Sequence, residues 1–311
     1  MGEAGDLEAL REELVDAGYI ADPPLVAALL LMQSLERPLL LEGDAGVGKT
    51  EVAKVLAALR GTKLIRLQCY EGLDAHAAMY EWNYQRQLLA IKLLEHDERA
   101  NVRDLVEKEQ DIFSERYLLE RPLLAAIRAK VPPVLLIDEI DRADEAFEAF
   151  LLEVLADYQI TVPELGTLRA KHVPQVVLTS NGTRELSDAL RRRCLYHYLE
   201  YPTLAREIAI VRATLPQAEG ALVEQAVAFV QRLRREDLAK KPGIAETLDW
   251  VRALHRLDFK AMPEDPHALA GTLACLLKTR EDRFQLGEER VRQLIEGRRV
   301  VGVAEKAPQP T

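Results

Sequence analysis

The 311-residue sequence predicts an α/β domain built on a parallel sheet, followed by a small all-helical domain. Three observations lead there. Short apolar runs (Arg37–Glu42, Lys63–Gln68, Val134–Ile137 and Gln175–Thr179) alternate with stretches of helical periodicity, the pattern of βαβ units. The first of these, Arg37–Glu42, is short and continuously apolar, which suits a buried parallel strand. After Tyr201-Pro202 only helical patterns follow, in Ala221–Arg235, Ala245–Leu257 and Pro266–Lys278.

Before the first strand, Leu7–Leu14 and Pro24–Leu35 repeat apolar residues at helical spacing, with Gly18–Pro23 as the loop between them. Lys49–Leu59 reads as a helix stopped by Gly61. Ala75–His96 and Phe113–Lys130 read as helices joined by the polar stretch Asn101–Gln110. Ala143–Tyr158 follows the third strand as a helix. Gln159–Val162 and Leu168–His172 flank the turn Pro163–Thr167 and suggest a hairpin. Val300–Thr311, with two prolines and no periodicity, reads as a mobile tail. The expected boundaries are 1–202, 203–299 and 300–311.

Composition narrows the class. Apolar residues make up 48% and charged residues 30%, which suits a soluble globular chain. No apolar run approaches a membrane span, and the acidic start lacks a signal-peptide pattern, so a cytoplasmic location is expected. A formal charge of −10 disfavours nonspecific attraction to nucleic acid. Cys69, Cys194 and Cys275 have no metal-ligand spacing and read as buried reduced thiols.

The chemistry is concentrated in Gly43-Asp44-Ala45-Gly46-Val47-Gly48-Lys49-Thr50, which satisfies G-x-x-x-x-G-K-[ST] at every fixed position. The glycines let backbone N–H groups converge on phosphate at the start of a helix. Lys49 would reach the β- and γ-phosphates, and Thr50 would offer its hydroxyl to Mg²⁺. A strand precedes the motif and a helix follows it, as the mechanism demands. The expected ligand is therefore ATP with Mg²⁺, held by Gly43–Thr50 and the adjoining Glu51.

Val134–Ile137 runs into Asp138 and Glu139. Asp138 would hold Mg²⁺ through its water, and Glu139 would act as general base toward the attacking water. Such a base favours hydrolysis over transfer to another acceptor. Asn181, after the fourth strand, is placed to touch the γ-phosphate and the lytic water, although an Asn before Gly182 also suits a plain turn. Arg191, Arg192 and Arg193 end a short helix beginning near Leu186. One of them could act on a neighbouring subunit's nucleotide; a solvated basic helix end is the alternative for each. A GTP-binding switch would need an Asn-Lys-x-Asp base reader after the fourth strand, and none is present.

The order of phosphate loop, VLLIDEIDRAD, TSN, arginine-ended helix and helical lid resembles the AAA+ ATPases. Within them it is similar to the MoxR branch, whose acidic motif reads close to DEINRA; here Asp141 replaces the usual Asn. The segments Leu67–Asp74, Tyr80–Gln87 and Arg191–Tyr198 resemble CoxD-type proteins, accessory ATPases of molybdenum hydroxylases such as aerobic carbon monoxide dehydrogenase. The resemblance implies a three-layer P-loop core with a helical lid. It makes Gly43–Thr50 the Walker A loop, Asp138 and Glu139 Walker B, and Asn181 sensor 1. It favours Arg193 as the finger and points Ile20 at adenine, though core packing also suits Ile20. It further implies a ring, a hexamer, acting with a separate von Willebrand factor A protein on a metalloenzyme client. The lid helix after Gly243 lacks the family's sensor 2 arginine at the expected place; Arg252 could substitute, or sensing by the lid is weak and turnover slow. A nucleic-acid motor or clamp loader, and a nucleotide-gated scaffold, are the other classes that share this site.

Overall fold

The computed structural model describes residues 3–95 and 112–297. It divides into two compact units. One comprises the chain to Asp44 and Lys49–Glu200; the other comprises Ala45–Gly48 and the chain from Tyr201 onward.

The first unit runs α1 (Glu3–Asp16), α2 (Pro23–Leu35), β1 (Leu39–Glu42), α3 (Lys49–Leu59), β2 (Leu64–Gln68), α4 (Ala75–Met79), β3 (Tyr80–Trp82) and α5 (Tyr84–Glu95). It continues with β4 (Leu118–Glu120), α6 (Pro122–Ile127), β5 (Val134–Asp138), α7 (Glu145–Asp157), β6 (Gln159–Val162), β7 (Gly166–Arg169), β8 (Gln175–Ser180), α8 (Asp188–Arg193) and β9 (Leu195–Tyr198). The main sheet has the order β2-β5-β8-β1-β9, with every pair parallel.

Side-chain alternation divides the sheet between its faces. Leu40, Ile65, Leu67, Leu135, Ile137, Val176 and Leu178 join Leu123, Leu124, Phe147, Leu151 and Val154 in one core cluster. The alternate positions Leu39, Leu41, Val134, Leu136 and Val177 are buried as well, and α2 and α3 pack on the sheet. Burial on both faces is why β1, β5 and β8 read as apolar runs, whereas β2, at the sheet edge, alternates. Local chemistry sets the helix ends. The Asp22 side chain accepts from Leu25 N–H at 2.8 Å, with Pro23 and Pro24 in the first turn of α2. Asp144 caps α7 in the same way, through Phe147 N–H.

The structure corrects several sequence expectations. Residues 75–96 are not one helix: α4 gives way to β3, which pairs antiparallel with β4. Tyr80 and Trp82 are buried while Glu81 is exposed, a period of two too short to stand out from its helical surroundings. The helix expected over Phe113–Lys130 begins only at Pro122, because the residue before a proline is held extended; Arg121 has φ −87°, ψ 170°. A fifth sheet strand, β9, joins the four expected ones. Its half-exposed, aromatic-rich edge carries no apolar run. The hairpin β6–β7 forms, with its second arm at Gly166–Arg169 rather than Leu168–His172. The stretch Asn101–Gln110 and the tail Val300–Thr311 lie outside the described residues.

The second unit contains α9 (Leu204–Thr214), α10 (Gly220–Leu233), α11 (Ile244–Arg256), α12 (Pro266–Ala270), α13 (Arg280–Gln285) and α14 (Glu288–Glu296). Its core centres on Trp250 and Phe229, both fully buried, with ring centroids 5.0 Å apart. The helix expected over Pro266–Lys278 ends at Ala270 and passes at Gly271, a poor helix former, into a 3₁₀ segment, Thr272–Cys275. Among the described residues no helix is long and apolar enough to cross a membrane.

Candidate functional site

Parallel strands bring the loops at their carboxyl ends together, and Lys49, Thr50, Asp138, Glu139 and Asn181 gather there. Gly43 leaves β1 at φ 155°, and a Cβ on it would fall 2.3 Å from the Leu199 carbonyl oxygen. Only glycine fits that approach. Ala45–Gly48 groups with the helical unit, where Ile244 N–H donates to Gly46 O at 2.9 Å. Gly243 lies so close to Gly46 that a Cβ would meet its Cα at 2.6 Å.

Lys49 opens α3 and is buried. Its ammonium donates to Gly43 O at 2.7 Å, Asp44 O at 2.8 Å and Asn181 Oδ1 at 2.8 Å. Burial pulls its pKa below the ordinary value, opposed by the charges of Asp141, Asp44, Asp138 and Glu139. Three acceptors converging on one cation outline a space suited to anionic oxygen.

Asp138 ends β5 and is 3% exposed. Its Oδ1 accepts from Thr50 Oγ1 at 3.1 Å and Thr179 Oγ1 at 2.6 Å; its Oδ2 accepts from Arg66. Glu139 follows in the left-handed region, φ 56°, ψ 50°, where a non-glycine residue is uncommon. Its N–H donates to Thr179 Oγ1 at 2.9 Å, and its carboxylate accepts from Gln68 at 3.2 Å and pairs with Arg142 at 2.9 Å. The turn lifts Glu139 out of the strand, while Asp138 stays in it.

Asp141 organises the loop beyond β8. Its Oδ2 accepts from Asn181 N–H at 3.2 Å, Thr183 N–H at 3.0 Å and Thr183 Oγ1 at 2.7 Å. Burial pushes its carboxyl up, but these hydrogen bonds outweigh it and leave the pKa below the usual carboxylate range. Among the described residues its buried Oδ1 has no hydrogen-bond partner.

Lys49, Thr50, Asp138, Glu139 and Asn181 are thus brought together; the other expected residues stand differently. Arg193 is exposed at the end of α8 and makes no ion pair or side-chain hydrogen bond among the described residues. Arg191 turns toward Glu42 at 3.5 Å, and Arg192 lies 3.9 Å from Asp188. The Arg37 guanidinium holds the helix end by donating to Arg192 O at 2.6 Å and Arg193 O at 3.0 Å. Ile20 is half-buried in the loop between α1 and α2, Glu51 pairs with Lys54 at the surface, and Arg252 pairs with Asp249 within α11. Cys69 and Cys194 are buried, and burial pushes both thiols up to about 12; Cys275 is only partly buried.

Sequence reasoning missed Arg66, Gln68 and Thr179 as parts of this cluster. The available signal was the alternation in β2, where Ile65 and Leu67 are buried and Arg66 and Gln68 are exposed.

Oxygen donors from Thr50 and Asp138, 3.1 Å apart, suit Mg²⁺, which takes few protein ligands and completes its shell with phosphate and water. Among the described residues no group of three or more His, Cys, Asp or Glu side chains forms a self-sufficient metal cage.

A strand-loop-helix with Gly-Lys-Thr, an acidic strand end beside it and a parallel sheet define a P-loop nucleotide-binding protein. Residues 38–194, just over half the chain, match the model of the AAA domain, dynein-related subfamily, and the chain belongs to that family. It is an ATP hydrolase that uses ATP and Mg²⁺. An uncharacterised protein of Staphylococcus haemolyticus is 27% identical over 228 residues, covering 71% of this chain and 76% of that protein. The gas vesicle ATPase GvpN1 of Halobacterium salinarum is 28% identical over 207 residues, 64% of this chain and 56% of its own length. The chaperone protein ClpB of Chlamydia trachomatis is 23% identical over 273 residues, 82% of this chain and 28% of ClpB. The chain therefore spans about half of the gas vesicle ATPase and about a quarter of ClpB. Among solved structures, a RuvB mutant of Thermotoga maritima aligns at a TM-score of 0.47 with 17% identity, covering 86% of this chain and 69% of that one.

Proposed function

We propose that this chain is a MoxR-like subunit of a homo-oligomeric ring, a hexamer, that spends ATP on remodelling a client protein. The convergence of Lys49, Thr50, Asp138, Glu139 and Asn181 on one end of the sheet carries the reading. AAA proteins typically assemble as rings. Gly43–Thr50 and Glu51 surround the phosphates, and Lys49 exchanges its contacts with Gly43 O, Asp44 O and Asn181 for phosphate oxygens. Thr50 and Asp138 hold Mg²⁺, which neutralises charge developing on the phosphates. Glu139, raised from the strand by its left-handed turn, takes the proton of the attacking water. Asn181, aligned by Asp141 through its backbone, orients that water against the γ-phosphate. Arg193, which has no carboxylate partner among the described residues, acts on the neighbouring subunit's nucleotide, and Ile20 packs on adenine.

The CoxD-like segments support a finer assignment: maturation of a molybdenum hydroxylase metal centre, such as that of carbon monoxide dehydrogenase, in the cytoplasm with a von Willebrand factor A partner. The experiment is reconstitution. Metal occupancy of the hydroxylase should rise with this chain and ATP, and not with the Glu139→Gln variant, which should bind ATP and trap an assembled ring. Equal metal loading with and without the chain would sink the client assignment. Arg193→Ala subunits should recover hydrolysis when mixed with Glu139→Gln subunits; failure at every ratio would argue against an arginine acting between subunits.

A further inference from the structure

Arg66 and Gln68 lie on one face of β2, and Asp138 is the diagonal neighbour of Arg66 on β5, since Gln68 is in register with Asp138. Arg66 donates to Asp138 Oδ2 through Nη2 at 2.5 Å and Nε at 3.1 Å. Nη2 also donates to Gln68 Oε1 at 2.5 Å, and Gln68 Nε2 reaches Glu139 Oε2 at 3.2 Å. The two carboxylate oxygens of Asp138 are therefore divided. Oδ1 faces the hydroxyls of Thr50 and Thr179, and Oδ2 belongs to the guanidinium. The carboxylate is buried while the Arg66 side chain is 54% exposed, so the charge that neutralises Asp138 is delivered from the solvent side.

We propose that Arg66 is a positioning residue for Asp138 and a resident cation against which Mg²⁺ must bind. Two guanidinium donors converge on Oδ2 and, with Thr179 on Oδ1, hold the carboxylate so that Oδ1 points at Thr50; a lysine would offer Oδ2 one flexible point charge instead. The same positive charge lowers the pull of Asp138 on a second cation. Through Gln68 the guanidinium also steadies Glu139, so metal carboxylate and catalytic base are held by one side chain. The proposal rests on the assignment of Mg²⁺ to Thr50 and Asp138 made above.

The test is binding of a fluorescent ATP analogue to the full chain, in EDTA and across a Mg²⁺ titration, alongside steady-state hydrolysis. Arg66→Met should bind the analogue in EDTA like the wild type, and its Mg²⁺ midpoint should fall about three- to fivefold, the scale of a half-exposed charge. Its kcat should drop. Arg66→Lys should restore the midpoint, because the charge returns, but not kcat, because the fork does not. An unchanged or raised midpoint in Arg66→Met overturns the proposal, as does a lysine variant that matches the wild type in both readouts. Loss of analogue binding in EDTA would make Arg66 a general support of the fold and overturn it too. Asp138→Asn separates the two levels: if that variant keeps the wild-type Mg²⁺ titration, the metal assignment itself fails.

Discussion

In the helical unit Glu207 is fully buried and Arg234 nearly so, whereas in the α/β unit Asp138 is buried and its partner Arg66 stands half in solvent. Glu207 is saturated: Arg234 donates to both its oxygens at 2.6 Å, Thr247 at 2.7 Å and Gln231 at 2.6 Å. Arg234 in turn donates to Pro242 O and lies 4.8 Å from the Tyr201 ring centroid. That network ties α9, α10 and the start of α11 together and leaves no valence for a ligand. Around Asp138 the partners are two hydroxyls on Oδ1 and a half-exposed guanidinium on Oδ2, so Oδ1 is met only by neutral donors. A carboxylate–guanidinium pair is saturated and shut off from water in one unit and partly open in the other; what differs is solvent access and saturation.

The largest effect expected from breaking this contrast is on the architectural side. Arg234→Ala strands the Glu207 charge in the core and should cost about 3–5 kcal/mol of stability, read from a denaturation midpoint. A loss under about 1 kcal/mol would remove the distinction between the two pairs. Next comes Lys49→Ala, which should weaken ATP binding by about 2–4 kcal/mol with no comparable fall in the unfolding midpoint. Retained micromolar affinity would contradict the phosphate-loop assignment.

Asp141→Ala should cost about 1–3 kcal/mol, since the N–H groups of Asn181 and Thr183 lose their acceptor. Because the folded-state pKa of Asp141 is depressed, its contribution is complete above the ordinary carboxylate range and lost as pH falls through the folded value. The gap between wild type and variant should close on acidification, and a pH-independent gap would rule out the charged form as its source. The smallest effect is Arg121→Ala, which removes the exposed pair with Glu81 across the β3–β4 hairpin and should cost about 0.2–1 kcal/mol.

What was legible in the chain was local. The phosphate loop is contiguous because backbone amides must converge within one turn, and the acidic pair sits next to the strand that delivers it. Three of the four expected strands, β1, β5 and β8, were visible because both-face burial writes itself as a continuous apolar run, whereas β2 alternates between buried and exposed positions. β9 was not visible, since an edge strand with half-exposed Tyr196 and Tyr198 carries no such run. Nor was the β3–β4 hairpin, whose arms are three residues each and pair across 35 intervening residues (positions 83–117), beyond the reach of any local pattern.

The sequence alone therefore determined the ligand class, through Gly43–Thr50, and the hydrolytic character, through Asp138 and Glu139, because those chemistries need fixed residue types at fixed short spacings. Only the tertiary structure decided which side chains complete them. Arg66 lies 72 positions from Asp138, Thr179 lies 41 from it, and Asp141 reaches Thr183 across 42. A parallel sheet joins residues distant in the chain by register between strands, and register depends on the packing of the whole unit rather than on any segment of it.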